Sequence, residues 1–178
     1  LSSPLLSEAL VAGLRQSGIN VVDLGMVPTP LLYFATHFSD IDSGVMLTAS
    51  HNPANYNGLK IVFRKTSLAA NQIQNIRARI DSSQLHFGAG DYRQEPIVDR
   101  YIEEVGQRLS LQRRMKIVID CGHAVPATVA PQLFERLGCD VIPLYCDIDG
   151  AFPDHHPDPT VSSNLTALRQ RVLAEKAD

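Results

Sequence analysis

Residues 116–120 read Lys-Ile-Val-Ile-Asp, and residues 140–145 read Asp-Val-Ile-Pro-Leu-Tyr. Both are short runs rich in β-branched residues, the composition of a buried strand. Between them, residues 126–137 carry apolar side chains at helical spacing, with Pro131 expected in the first turns or at a kink. Strand, helix, strand in that order leaves little freedom. The two strands should lie parallel, joined by a right-handed crossover.

The first half of the chain alternates in the same way. Leu5, Leu6, Ala9, Leu10 and Leu14 predict an amphipathic helix over 4–16, with Ser3 as cap, Pro4 at the first helical position and Gly18 as the stop. A strand over 19–24, a Pro-rich turn over 25–30 and a short helix over 31–38 follow. Strands are expected at 44–47 and 59–63, then a helix over 69–80 with Ile73, Ile76 and Ile80 on one face. Residues 82–95 read as irregular. Gly88-Ala89-Gly90 lies there with no strand before it, so it reads as a loop rather than a phosphate cradle. A helix over 96–109 opens the second half. Ser162 or Ser163 should cap a last helix with Leu165, Leu168, Val172 and Leu173 on one face. The class is α/β: two α/β units, each a mixed β-sheet flanked by helices, with domains at 1-95 and 96-178.

Composition narrows the partners. The chain is 44% hydrophobic and 20% charged, as globular domains are. A net charge of −3 does not suit a nucleic-acid partner. No apolar run reaches the ~18 residues of a membrane span, so no membrane partner is expected. Cys121, Cys139 and Cys146 have no C-x-x-C spacing and read as free thiols in a reducing cytoplasm.

The richest stretch is residues 48–63, Thr-Ala-Ser-His-Asn-Pro-Ala-Asn-Tyr-Asn-Gly-Leu-Lys-Ile-Val-Phe. Asn, Pro and Gly account for a bend between two strands. Ser50, His51 and Lys60 are more than a bend requires. Ser50 and His51 are neighbours along the chain, so they do not read as a nucleophile and its base, and no G-x-S-x-G elbow is present. A serine can instead carry a phosphoryl group, which needs cations, a metal or backbone N–H donors around it. Two readings stand on the residues alone: a phosphoryl-carrying enzyme, or a noncatalytic α/β module that holds an anion.

The loop resembles the active-site serine loop of the α-D-phosphohexomutases. Thr48-Ala49-Ser50-His51-Asn52-Pro53 and Asn57-Gly58-Leu59-Lys60 are similar to that family's two motifs at the right separation. Asp120-Cys121-Gly122 resembles the start of the family's second domain, and 143–159 its phosphomannomutase/phosphoglucomutase branch; the phosphoglucosamine mutase branch ranks second. The resemblance implies reversible phosphoryl transfer on hexose phosphates through a phosphoserine and a bisphosphorylated sugar. It implies Ser50 as carrier, Lys60 as charge or acid–base group, and His51 as positioning group and hydrogen-bond donor. Thr48, Asn52, Asn57 and Gly58 would support the phosphate. It also implies Mg²⁺ bound through the Ser50 phosphate, with aspartate ligands beyond Asp178. The chain opens on Leu1 and stops after a helical stretch, so it reads as most of a first domain and part of a second. Domains 3 and 4 would be its missing partners, and the piece alone is expected to be inactive.

Asp154-His155-His156-Pro157-Asp158 invites a metal reading, but neighbouring side chains of an extended chain point apart. A rigid structural or interdomain loop, stiffened by Pro153, Pro157 and Pro159, is the expectation.

Overall fold

The computed structural model describes residues 2–53 and 55–178. Leu1, where the expected first domain begins, and Ala54, inside the 48–63 stretch, lie outside the described residues. The chain forms two compact units. The first comprises Leu1–Gly25, Leu32–Ser50 and Asn55–Pro96; the second comprises Met26–Leu31, His51–Ala54 and Ile97–Asp178. The α/β class holds.

In the first unit, helix α1 (Ser3–Gln16) leads to strand β1 (Val21–Asp23). β1 pairs in parallel with β5 (Tyr92–Gln94), in register Val21 to Tyr92. The segment around β5 was expected to be irregular. Its three residues are all exposed and lack the alternation that marks a strand, so only the ladder with β1 defines it. Strands β2 (Gly44–Leu47), β3 (Leu59–Phe63) and the two-residue β4 (Thr66–Ser67) form an antiparallel sheet. Helices α2 (Thr29–Phe38) and α3 (Asn71–Asp81) complete the described elements up to Pro96. Leu32, Phe34, Ala35 and Val62 are buried. Burying a side chain such as Leu32, Phe34 or Val62 contributes about 2 kcal/mol.

The expected cap of α1 is displaced. Ser3 is already helical, and Ser2 at the cap position makes no side-chain cap bond. Both hydroxyls are used elsewhere. Ser2 Oγ accepts from the Asn57 amide at 2.7 Å, and Ser3 Oγ donates to the Asn57 carbonyl oxygen at 3.4 Å.

Gly88 and Gly90 have a structural use. Their N–H groups donate to Gln16 O and Arg15 O, at 2.7 and 2.9 Å, covering carbonyls at the end of α1. A Cβ on Gly90 would come within 2.0 Å of Ile19 O. Those amides are spent on the helix end.

In the second unit, α4 (Val98–Arg108) precedes β6 (Lys116–Asp120), α5 (Ala130–Arg136), β7 (Asp140–Leu144) and α6 (Thr166–Glu175). β6 and β7 run parallel, Lys116 opposite Asp140, as the strand–helix–strand pattern requires. The helix between them is broken. A 3₁₀ turn spans Val125–Thr128, and α5 begins at Ala130 with Pro131 in its first turn. Proline has no N–H to return to the carbonyl four residues earlier, so one continuous helix would lose a bond there.

Neither Ser162 nor Ser163 caps α6, because both lie in a 3₁₀ turn, Ser162–Leu165. Ser162 Oγ accepts from Arg169 instead, at 3.2 Å. Leu173 is 78% exposed, so it does not belong to the packed face with Leu165, Leu168 and Val172. The end of α6 is tied to β6: Lys116 Nζ donates to Glu175 O at 2.7 Å and pairs with its carboxylate at 3.1 Å. Among the described residues no helix is long and apolar enough to cross a membrane.

Candidate active site

The hairpin β2–β3 sets the position of the serine loop. Leu47 faces Leu59 and Met46 faces Lys60 across the antiparallel pair. Ser50, just past β2, and Lys60, near the start of β3, therefore stand at the same end of the hairpin. Lys60 is exposed on β3. The loop closes through Thr48 N–H to Gly58 O at 2.9 Å. A Cβ on Gly58 would sit 3.0 Å from Thr48 O, so glycine permits this approach.

Thr48 Oγ1 accepts the N–H of Ser50 at 3.0 Å. This fixes the serine backbone in a left-handed conformation, φ 56°. A non-glycine residue there carries about 1–2 kcal/mol of strain, the kind of outlier that collects at functional loops. Ser50 itself is exposed. Asn57 holds the other arm of the loop to Ser2 and Ser3. Asn52 is exposed in the bend after His51.

His51 takes part in the second unit. Its Nδ1 lies 2.7 Å from Pro157 O, and His156 Nε2 lies 2.8 Å from His51 O. Carbonyl oxygens only accept, so both ring nitrogens carry their protons. Nδ1 of His51 is thus engaged with Pro157 O. Asp158 lies beside both rings. Its carboxyl is held below the ordinary range first by the hydroxyl of Thr160, then by its amide, with smaller contributions from the His51 and His156 imidazoles.

Two further histidine–carboxylate pairs build the same region. His155 Nε2 donates to the Asp120 carboxylate at 3.0 and 3.2 Å, and the Asp120 side chain is only 6% exposed. His123 Nε2 lies 2.7 Å from Asp154 Oδ2, and its Nδ1 lies 2.8 Å from Asp147 O. Both His123 partners are acceptors, so both bonds form fully only on a protonated ring. Its pKa is raised, first by Asp154 and then by the Asp147 carbonyl. The Tyr145 ring lies between them, 5.2 Å from His123 and 5.3 Å from His155.

Sequence reasoning missed His123. A single histidine two residues after Asp120-Cys121 carries no spacing signal, and its partner Asp154 is 31 residues away. Asp154, His155 and His156 point to three different partners, as expected for an extended segment. The thiols of Cys121, Cys139 and Cys146 are free. Burial, followed by the neighbouring Cys146, pushes the Cys121 thiol up to about 12.

The chain is thus an α/β protein with an exposed serine in a left-handed conformation on a hairpin loop. Comparison with known proteins gives this class a family. A family model described as phosphoglucomutase/phosphomannomutase, alpha/beta/alpha domain I, matches residues 1–87, and the domain II model matches residues 99–178. The chain belongs to the phosphoglucomutase/phosphomannomutase family. It is 49% identical, over all 178 residues, to a phosphomannomutase/phosphoglucomutase of Pseudomonas aeruginosa, and covers 38% of that protein. It is 41% identical over 170 residues to a phosphoglucomutase of Neisseria meningitidis, which covers 94% of this chain and 37% of the relative. A solved structure of a phosphoglucomutase/phosphomannomutase family protein from Burkholderia thailandensis superposes with a TM-score of 0.94 at 40% identity. That match covers 98% of this chain and 40% of the other. The chain therefore spans well under half the length of these relatives.

Proposed function

We propose that Ser50 carries a phosphoryl group, and that the longer protein containing this chain interconverts hexose 1-phosphates and 6-phosphates. The supporting observation is Ser50 itself: exposed, left-handed at φ 56°, with its amide bound to Thr48 Oγ1 on the loop that bears the family's motif. In the proposed cycle the Oγ–phosphorus bond of phospho-Ser50 breaks as a hydroxyl of the hexose phosphate bonds to phosphorus and loses its proton. The product is a hexose bisphosphate. After it reorients, its other phosphoryl group returns to Ser50 Oγ, and the remaining monophosphate leaves.

Transfer of this kind needs position and charge neutralisation more than covalent help. Lys60, at the same end of the hairpin, supplies positive charge or moves the hydroxyl proton. His51 positions the loop through its bond to Pro157 O. Thr48, Asn52, Asn57 and Gly58 shape the loop around the phosphate.

The place proposed for Mg²⁺ is the phosphate on Ser50. Among the described residues no three His, Cys, Asp or Glu side chains are grouped to hold a metal. The chain would offer it a phosphate oxygen on Ser50, and carboxylates from the remainder of the longer protein would complete the site. When bound, Mg²⁺ supplies charge neutralisation on the phosphoryl group.

We read 1-95 and 96-178 as domains I and II, supported by the two separate family matches. Domains 3 and 4 of the same chain would read the sugar and its phosphate, so the 178 residues alone are inactive. Three free thiols favour a cytoplasmic setting. Incubating the full-length protein with a hexose 1,6-bisphosphate, then mapping phosphate by mass spectrometry, tests the reading. Phosphate on the Ser50 peptide is expected. A protein that turns over substrate with Ser50 unmodified and dispensable is instead one in which this loop merely binds an anion.

A further inference from the structure

Within the second unit, residues 155–157 grip the residue that follows Ser50. His156 Nε2 donates to the main-chain oxygen of His51 at 2.8 Å, and Pro157 O accepts from the His51 ring at 2.7 Å. His51 is thus bound once through its backbone and once through its side chain, by adjacent residues of one loop. That loop has a firm anchor. His155 donates to the carboxylate of Asp120 at the end of β6, and this carboxylate is 6% exposed and also accepts the Gly122 N–H at 2.8 Å. The far side is fastened too. Asn164 Nδ2 donates to Asp158 O at 2.9 Å, and the Asp158 side chain accepts from Thr160.

We infer that His156 is a positioning residue for Ser50: its bond to the His51 carbonyl, on a loop anchored by the Asp120–His155 pair, holds the orientation of the serine backbone. The left-handed φ of Ser50 is strained and persists only where its neighbours over-determine it. Thr48 Oγ1 fixes the amide of Ser50. His156 binds the carbonyl of the residue that follows, His51. Of the two, only His156 comes from outside the loop. In-line phosphoryl transfer is sensitive to such placement, since a displacement of about 1 Å can cost about 100-fold in rate.

The inference rests on Ser50 being the phosphoryl carrier. It is tested in the full-length protein with His156→Ala and His156→Gln, because glutamine can present an N–H at about the reach of Nε2. Four quantities are read for each protein: kcat, KM, phosphate on Ser50 after incubation with a hexose 1,6-bisphosphate, and melting temperature. His156→Ala should lower kcat and the rate of Ser50 phosphorylation by about 10-fold to 100-fold, leaving KM within about twofold. His156→Gln should recover most of that loss at an unchanged melting temperature. Wild-type protein that phosphorylates Ser50 normally, alongside a His156→Ala variant of unchanged kcat, overturns the inference alone. So does a His156→Gln variant as slow as His156→Ala. Wild-type protein that accepts no phosphate on Ser50 overturns the carrier reading, and the positioning role with it.

Discussion

The ring Nδ1 of His51 donates to the carbonyl oxygen of Pro157, 106 residues further along the chain, across 2.7 Å. A histidine that follows the serine of a reactive loop would ordinarily be examined as its base. Here the bond to Pro157 ties down the Nδ1 side of the ring. Replacing His51 with Ala removes that donor and should cost about 1 kcal/mol, the typical net contribution of one hydrogen bond. Asn carries a side-chain N–H near the position of Nδ1, so His51→Asn should melt close to wild type. Differential scanning calorimetry on the full-length protein checks both. Equal losses in the two variants would mean that the ring, not the bond, matters.

The His123–Asp154 pair should give stability a pH dependence of definite sign. The raised pKa of His123 means that the folded protein holds this proton more tightly than the unfolded chain, where imidazole titrates near about 6.5. The stabilisation is therefore complete below about 6.5 and is lost as pH rises through the higher folded value. Asp154→Asn removes the largest cause of the shift. Its melting temperature should fall below wild type most clearly at about pH 5.5, and the gap should narrow towards about pH 9. A gap independent of pH would contradict the assignment.

Gly90→Ala should destabilise the protein by about 3 kcal/mol, because its Cβ would meet Ile19 O at 2.0 Å and the backbone would have to move. The same change at Gly25, where a Cβ meets nothing within 4 Å, strains only a positive φ of 71° and should cost less. Denaturant midpoints for the two variants give the comparison. A Gly90→Ala variant no less stable than Gly25→Ala would show that the approach of residue 90 to Ile19 is not tight.

What the sequence made legible follows from where the physical information lies. KIVID and DVIPLY, parted by a helical stretch, determine a parallel pair because each run is locally apolar and the connection is chiral. Thr48 to Lys60 reads as one candidate site because the hairpin brings its two arms together within a few residues. β5 was not legible, since Tyr92, Arg93 and Gln94 are exposed and gain strand geometry only from β1. The caps were misread for a related reason. Ser2, Ser3 and Ser162 have hydroxyls suited to capping, but Asn57 and Arg169 engage them first. The Asp120–His155 and His123–Asp154 pairs join residues 35 and 31 positions apart, a distance over which spacing carries no signal.

Lys60 should separate chemistry from stability. It is exposed on β3, so Lys60→Ala should leave the melting temperature near wild type. Loss of a cation beside a transferring phosphoryl group should lower kcat of the full-length protein by about 100-fold to 1,000-fold. Steady-state kinetics with glucose 1-phosphate decide it, and an unchanged kcat would remove Lys60 from the site.

The central claim is that Ser50 passes a phosphoryl group to and from the sugar. The most direct measurement is rapid-quench mass spectrometry of the Ser50 peptide from full-length protein mixed with glucose 1-phosphate, beside the turnover of Ser50→Ala. Phospho-Ser50 that is lost and regained within one turnover, with Ser50→Ala reduced to background, is the predicted result. A Ser50→Ala protein that retains wild-type turnover would contradict it.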